Sequence, residues 1–82
     1  MLKVYIFIRR DLKMRRGKEI AQACHAIEKL DAPKGLPKIV VKVNSEIELM
    51  DKCATGVVIT DAGCTEVSAG TVTCGAVMAD FC

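Results

Sequence analysis

The sequence predicts an α/β fold, a small layered domain with a four-stranded mixed β-sheet covered by α-helices. Three observations predict it. Runs rich in β-branched and aromatic residues ("VYIFI", "KIVVKV" and "VVIT") are separated by two stretches of helical character. Their order, β-α-β-α-β-β, implies two right-handed crossovers that lay helices over the faces of one sheet. The last strand follows a connection of about ten residues, where a return without a helix is expected, giving one antiparallel pairing.

Lys3 to Arg9 is a continuous apolar run, suited to a strand covered on both faces. A basic loop follows, and Gly17 to Leu30 reads as a helix. Residues 31–37 hold two prolines and a glycine and read as a loop. Lys38 to Val43 is the second strand. Ser45 is a good N-cap for the next helix, and Glu48 completes an S-x-x-E capping box. Gly56 is placed to end that helix. Val57 to Thr60 and Thr71 to Met78 are the third and fourth strands.

The 82 residues fit one domain, 1–82, in which a chain so short buries only about 60% of its unfolded surface. An apolar fraction of 51% is then fully used, and self-association as a homodimer is a natural way to add buried area. The longest apolar run, Val4 to Ile8, is far too short to span a bilayer, and the N-terminus lacks a signal-peptide pattern. No membrane partner is expected, and the location expected is cytoplasmic. Five cysteines at 24, 53, 64, 74 and 82 form no C-x-x-C pair, and His25 is the single histidine. This pattern argues against a disulfide framework or a zinc knuckle and predicts reduced, mostly buried thiols, with no metal.

Charge is unevenly spread. Residues 1–38 carry ten Lys/Arg against four acids, whereas residues 39–82 carry two against six. Much of the excess lies in one loop: Arg9, Arg10, Lys13, Arg15, Arg16 and Lys18 face only Asp11. Such a run is either solvated surface or a set of phosphate contacts leading into a helix N-terminus. With only Tyr5, Phe7 and Phe81 as aromatics, base stacking on single strands is poorly supported, and a structured RNA held through its backbone fits better.

On the first helix, Ile20, Ala23, Cys24, Ile27 and Leu30 share one broad face at about 100° per residue. Lys18, Gln22, His25 and Lys29 fall together on the opposite side, within about 60° of one another. That stripe is either a solvated polar face or one wall of a site lined by an amine, an amide and an imidazole.

Three stretches taken together, "RRDLKMRRGKEIAQACHA" (9–26), "LPKIVVKVNSEIEL" (36–49) and "TDAGCTEVSAGTVT" (60–73), resemble the archaeal/eukaryotic type of peptidyl-tRNA hydrolase, in a shortened form. The resemblance covers most of the chain in the same order. It implies hydrolysis of the ester joining a peptide to the 3′ end of tRNA, with peptidyl-tRNA as partner, no cofactor and a dimeric state. Carried over by motif, the catalytic lysine falls on Lys18, the acid on Asp61 and the hydroxyl on Thr65. Gln22 and His25 match the helix signature, as supporting residues. Arg10, Lys13, Arg15 and Arg16 are the expected tRNA contacts.

The sequence departs from the family pattern where Cys64 replaces an arginine, Glu66 a glutamine, Ala69 a proline and Glu19 an alanine. The segment after the first helix shrinks to "DAPKG", and the sequence ends at "MADFC". These departures make the region around Asp61 less cationic. They keep open a second reading, a catalytically degenerate module on the same fold that binds tRNA or a protein. A third, a thiol site on Cys64, meets the acids Asp61 and Glu66 where a reactive thiolate needs cations.

Overall fold

The computed structural model describes residues 1–61 and 70–80. The elements are β1 (Lys3–Arg9), α1 (Arg16–Leu30), β2 (Lys38–Val43), α2 (Glu46–Lys52), β3 (Val57–Thr60) and β4 (Val72–Ala79). They form the expected four-stranded mixed sheet, in the order β2-β1-β4-β3. β1 runs parallel to β2, and β4 is antiparallel to both β1 and β3. There are thus two antiparallel pairings where the sequence predicts one, because β4 slots between β1 and β3 and pairs along both edges.

Period-2 alternation divides the core into two clusters. Val4, Ile6 and Ile8 of β1 join Cys74 and Ala76 of β4 and Ile59 of β3 under α1, whose Ala26 is fully buried. On the other face, Phe7, Val43 and Val77 pack with Leu49 and Cys53 of the α2 segment. β1 is therefore covered on both faces, as its unbroken apolar run predicts. The Ser45 cap also forms as read: its Oγ accepts from the Glu48 amide at 3.1 Å, and Glu48 Oε1 accepts from the Asn44 amide at 3.1 Å.

Two expectations are corrected. Gly56 does not end α2, which stops at Lys52 with Cys53 as its C-cap. Gly56 instead lies where a Cβ would collide with the carbonyl oxygen of Ala76, so its missing side chain serves the approach of β4. The face of α1 is also rotated from the predicted one. Gln22 and Ala26 are its buried residues, while Ile20 and Cys24 are exposed. The reason is that Gln22 finds partners for its amide inside the fold, so it can occupy a core position that the apolar pattern assigns elsewhere.

Of the thiols described, Cys53 and Cys74 are buried and Cys24 is exposed. Burial pushes the Cys53 thiol from 9.0 up to about 11, and burial, with the neighbouring Cys53, pushes Cys74 to about 12. Both stay neutral in the fold after the unfolded chain has begun to lose these protons. Their contribution is thus whole below about pH 9 and is lost as pH rises through the window to 11–12. The unfolding free energy read from urea titrations is expected to fall steadily between these values, by up to about 1.4 kcal/mol per pH unit for each thiol. A Cys53→Ala, Cys74→Ala chain should lose that slope; if it keeps the slope, the thiols are not the cause.

Candidate active site

β1 and β3 are each antiparallel to β4, so their C-terminal ends lie on one edge of the sheet, beside the start of β4. The loop leaving β1 and the first turn of α1 begin from this same edge, which is where open α/β sheets place ligand sites. Asp61 follows the last residue of β3. Its backbone is fixed from both sides: its N–H donates to Thr71 O at 2.9 Å, and its carbonyl accepts from Gly70 N–H at 2.7 Å. Gly70, at φ +83°, supplies the left-handed conformation that this closure uses.

The Asp61 carboxylate is the centre of a polar cluster. Lys18 Nζ donates to its Oδ1 at 2.8 Å and Gln22 Nε2 to the same oxygen at 3.4 Å. Lys18 and Gln22 are one helical turn apart on α1, so both reach the strand end from one face. The Lys18 and Asp61 side chains are 11% and 5% exposed, so this ion pair is buried. Gln22 extends the cluster inward: its Oε1 accepts from Thr73 Oγ1 at 3.2 Å, and its backbone carbonyl accepts from Cys74 Sγ at 3.2 Å.

Thr73 and Cys74 both reach α1 because β4 carries a bulge. Ile59 stands opposite Cys74 and Thr60 opposite Val72, which leaves Thr73 as an extra residue. Regular alternation would send neighbouring side chains to opposite faces, and the bulge turns both towards α1. Thr73 was not singled out by sequence reasoning. Its signal is a hydroxyl at the start of the apolar run "VTCGAV" (72–77), which demands a buried partner once that run is read as a central strand.

Beside the carboxylate lies an open cavity of about 420 Å³ lined by Gln22, His25, Ile59, Thr60 and Asp61. His25 stands at its rim, 62% exposed, with Nδ1 3.6 Å from Glu28 Oε1. The helix stripe read from the sequence therefore splits. Lys18 and Gln22 enter the cluster, His25 borders the cavity, and Lys29 donates to Val58 O at 3.0 Å along the edge of β3. Thr65 and Cys64 lie outside the described residues. Among the described residues, no group of three His, Cys, Asp or Glu is placed to hold a metal ion, and no helix is long and apolar enough to cross a membrane.

The basic loop also divides. Arg9 is taken inward: its Nε and Nη2 donate to the Asp11 carboxylate at 3.0 and 2.7 Å, and Nη1 donates to Val72 O at 3.0 Å. The Asp11 hydrogen bond holds the Arg9 guanidinium above its ordinary range, and the same contact holds Asp11 below the usual carboxylate value. Arg9 thus ties the end of β1 to the start of β4. Arg10, Lys13, Arg15 and Arg16 remain exposed, immediately before or at the start of α1.

The fold and the cluster define a small α/β domain whose polar groups meet at the C-terminal ends of its strands. Residues 2–80 match the family Peptidyl-tRNA hydrolase PTH2, and the chain belongs to it. It is 36% identical to the peptidyl-tRNA hydrolase of Methanothermobacter thermautotrophicus, covering 89% of this chain and 81% of the relative. With that of Methanocaldococcus jannaschii it shares 38% identity, covering 93% of this chain and 84% of the relative. The Saccharolobus solfataricus enzyme is 33% identical over 90% of this chain and 82% of its own length.

Proposed function

We propose that this chain hydrolyses the ester between peptide and tRNA in peptidyl-tRNA, with Lys18, Asp61 and Thr65 as catalytic residues and Gln22 and His25 in support. The observation that carries this reading is the meeting of Lys18 and Asp61. They are separated by 43 positions in sequence, yet their charged atoms lie 2.8 Å apart beside an open cavity.

Ester hydrolysis needs a placed water, a held carbonyl and a countercharge for the oxyanion. Asp61, whose Oδ1 accepts from Lys18 and Gln22, orients the water. An ordinary carboxylate, with a pKa of about 4, is a weak base at neutral pH, so it accepts the proton only as the C–O bond forms. Lys18 supplies positive charge to the tetrahedral oxyanion. Thr65, four residues after Asp61, contributes a hydroxyl donor. Collapse of the intermediate breaks the ester bond, returns the proton to the departing ribose oxygen of tRNA and frees the peptide carboxylate. Arg10, Lys13, Arg15 and Arg16 contact tRNA phosphates, which position the substrate without reading its sequence. A cytoplasmic homodimer belongs to the same reading. The dimer is supported by exposed Ile20 of α1 and Val40 of β2, on the α1 side of the sheet, which a second copy would cover.

The test is release of blocked amino acid from N-blocked aminoacyl-tRNA by the purified chain. Turnover by the wild type is expected; a chain that binds tRNA but leaves the ester intact would instead be the degenerate module. Neutralising Arg10 and Arg16 to Gln is expected to weaken tRNA binding. It should also lower the slope of log affinity against log salt by about two. An unchanged slope would remove these residues from the interface.

A further inference from the structure

We propose that Thr73 is a positioning residue for this site, fixing the direction of the Gln22 amide so that its NH₂, not its carbonyl oxygen, faces Asp61. This rests on the hydrolytic reading above.

The two ends of a glutamine amide have nearly the same shape, so packing alone does not choose between them. Here one end lies 3.4 Å from Asp61 Oδ1 and the other 3.2 Å from Thr73 Oγ1. Thr73 is fully buried and Gln22 is 5% exposed, so these two side chains are the close protein partners that the ends of the amide meet. The Thr73 hydroxyl has a single proton and two acceptors in reach, Gln22 Oε1 and, at 3.4 Å, Ile59 O. Given to Gln22, that proton leaves Nε2 to donate to the carboxylate. Given to Ile59, it leaves Oγ1 as an acceptor, the amide turns over, and its oxygen confronts an anionic oxygen.

The first arrangement therefore supports a carboxylate bonded to both Lys18 and Gln22, and the second opposes it. A group two hydrogen bonds removed from the carboxylate thus sets the direction of the charge that the reacting water meets. The bulge in β4 is what brings Thr73 to α1, and the Cys74 thiol bonded to the Gln22 backbone holds the same turn of helix in place.

Thr73→Val keeps shape and removes the proton, while Thr73→Ser keeps the proton and trims a methyl. In steady-state hydrolysis of N-blocked aminoacyl-tRNA, kcat per folded molecule is expected to fall roughly tenfold in Thr73→Val, with KM within about twofold of wild type. Thr73→Ser should restore kcat. In ¹⁵N-edited spectra of the whole chain, the Gln22 side-chain amide protons should exchange slowly with water in wild type and Thr73→Ser, and faster in Thr73→Val. A purely structural Thr73 would lower stability but leave kcat per folded molecule and the Gln22 amide signals where they were. Either of those results overturns the proposal, as does a Thr73→Ser chain that behaves like Thr73→Val. If Thr73→Val does not fold, Thr73→Ala, which also removes the proton, takes its place; turnover per folded molecule equal to wild type then overturns the proposal. If the wild type itself hydrolyses nothing, the hydrolytic reading fails by that result, and the amide signals alone decide whether Thr73 fixes Gln22.

Discussion

Replacing Lys18 by methionine is expected to lower kcat for peptidyl-tRNA hydrolysis by roughly 10²–10³-fold, the usual cost of removing one oxyanion donor. Methionine keeps most of the aliphatic stem, so the change isolates the ammonium. The same substitution should destabilise the fold by about 3–5 kcal/mol at neutral pH, because it removes the Lys18 ammonium from a buried ion pair. For a small domain that is a large share of a total stability of about 5–15 kcal/mol. The two losses separate in the double variant Lys18→Met, Asp61→Leu. With both charges gone, most of the stability should return, because a buried pair replaced by apolar groups is often neutral. Activity should stay at least as low as in Lys18→Met. Urea unfolding and single-turnover hydrolysis on the same samples read the two quantities. A Lys18→Met chain that hydrolyses at the wild-type rate would remove Lys18 from the chemistry, whatever it does to stability.

The second large effect falls far from the site. Gly56→Ala is expected to destabilise by about 3 kcal/mol or more, since the new methyl meets atoms that have little room to move. Its Cβ would collide with the Ala76 carbonyl oxygen and lie 2.9 Å from Val77 Cβ. Ala76 and Val77 belong to a central strand paired on both sides, so neither can shift without disturbing a ladder. Gly17 gives the contrast: nothing lies within 4 Å of a Cβ there, and its position inside α1 favours alanine. Gly17→Ala is therefore expected to be neutral or to stabilise by up to about 1 kcal/mol. Thermal melts of the two variants side by side test the pair; equal midpoints would contradict the packing argument.

The strands were legible because β-branched residues crowd into "VYIFI", "KIVVKV" and "VVIT", and Ser45 with Glu48 marks a helix start through chemistry local to four residues. The order of strands was less legible. That β4 pairs with both β1 and β3 depends on which edges are open when it arrives, and no local pattern states this. Gly56 misled for a related reason: a glycine after a helix has one meaning in the chain and another when a strand passes beside it. At the site, helical spacing placed Lys18 and Gln22 on one stripe, and the family resemblance attached Asp61. The wheel could not show that Gln22 is buried, because its burial depends on Thr73 and Asp61, more than 35 residues away. The bulge that presents Thr73 is a mismatch between two strands, so neither strand reveals it alone. His25 was placed near the others but belongs to the rim.

The strand order also imposes a sequence of events on a chain made from its N-terminus. β1 is made first and β4 after all the other strands, yet these two are neighbours at the middle of the sheet. Until β4 has emerged, β1 and β3 border an empty slot, and each presents an unpaired edge to whatever strand comes near. The nascent domain therefore cannot ripen by adding finished pieces; the final strand must thread into the middle of what precedes it. Lys18 and Gln22 meet the same delay, because the groups that hold them arrive with Asp61 and Thr73. Folding and assembly of the site are thus one late event, closed by the same strand.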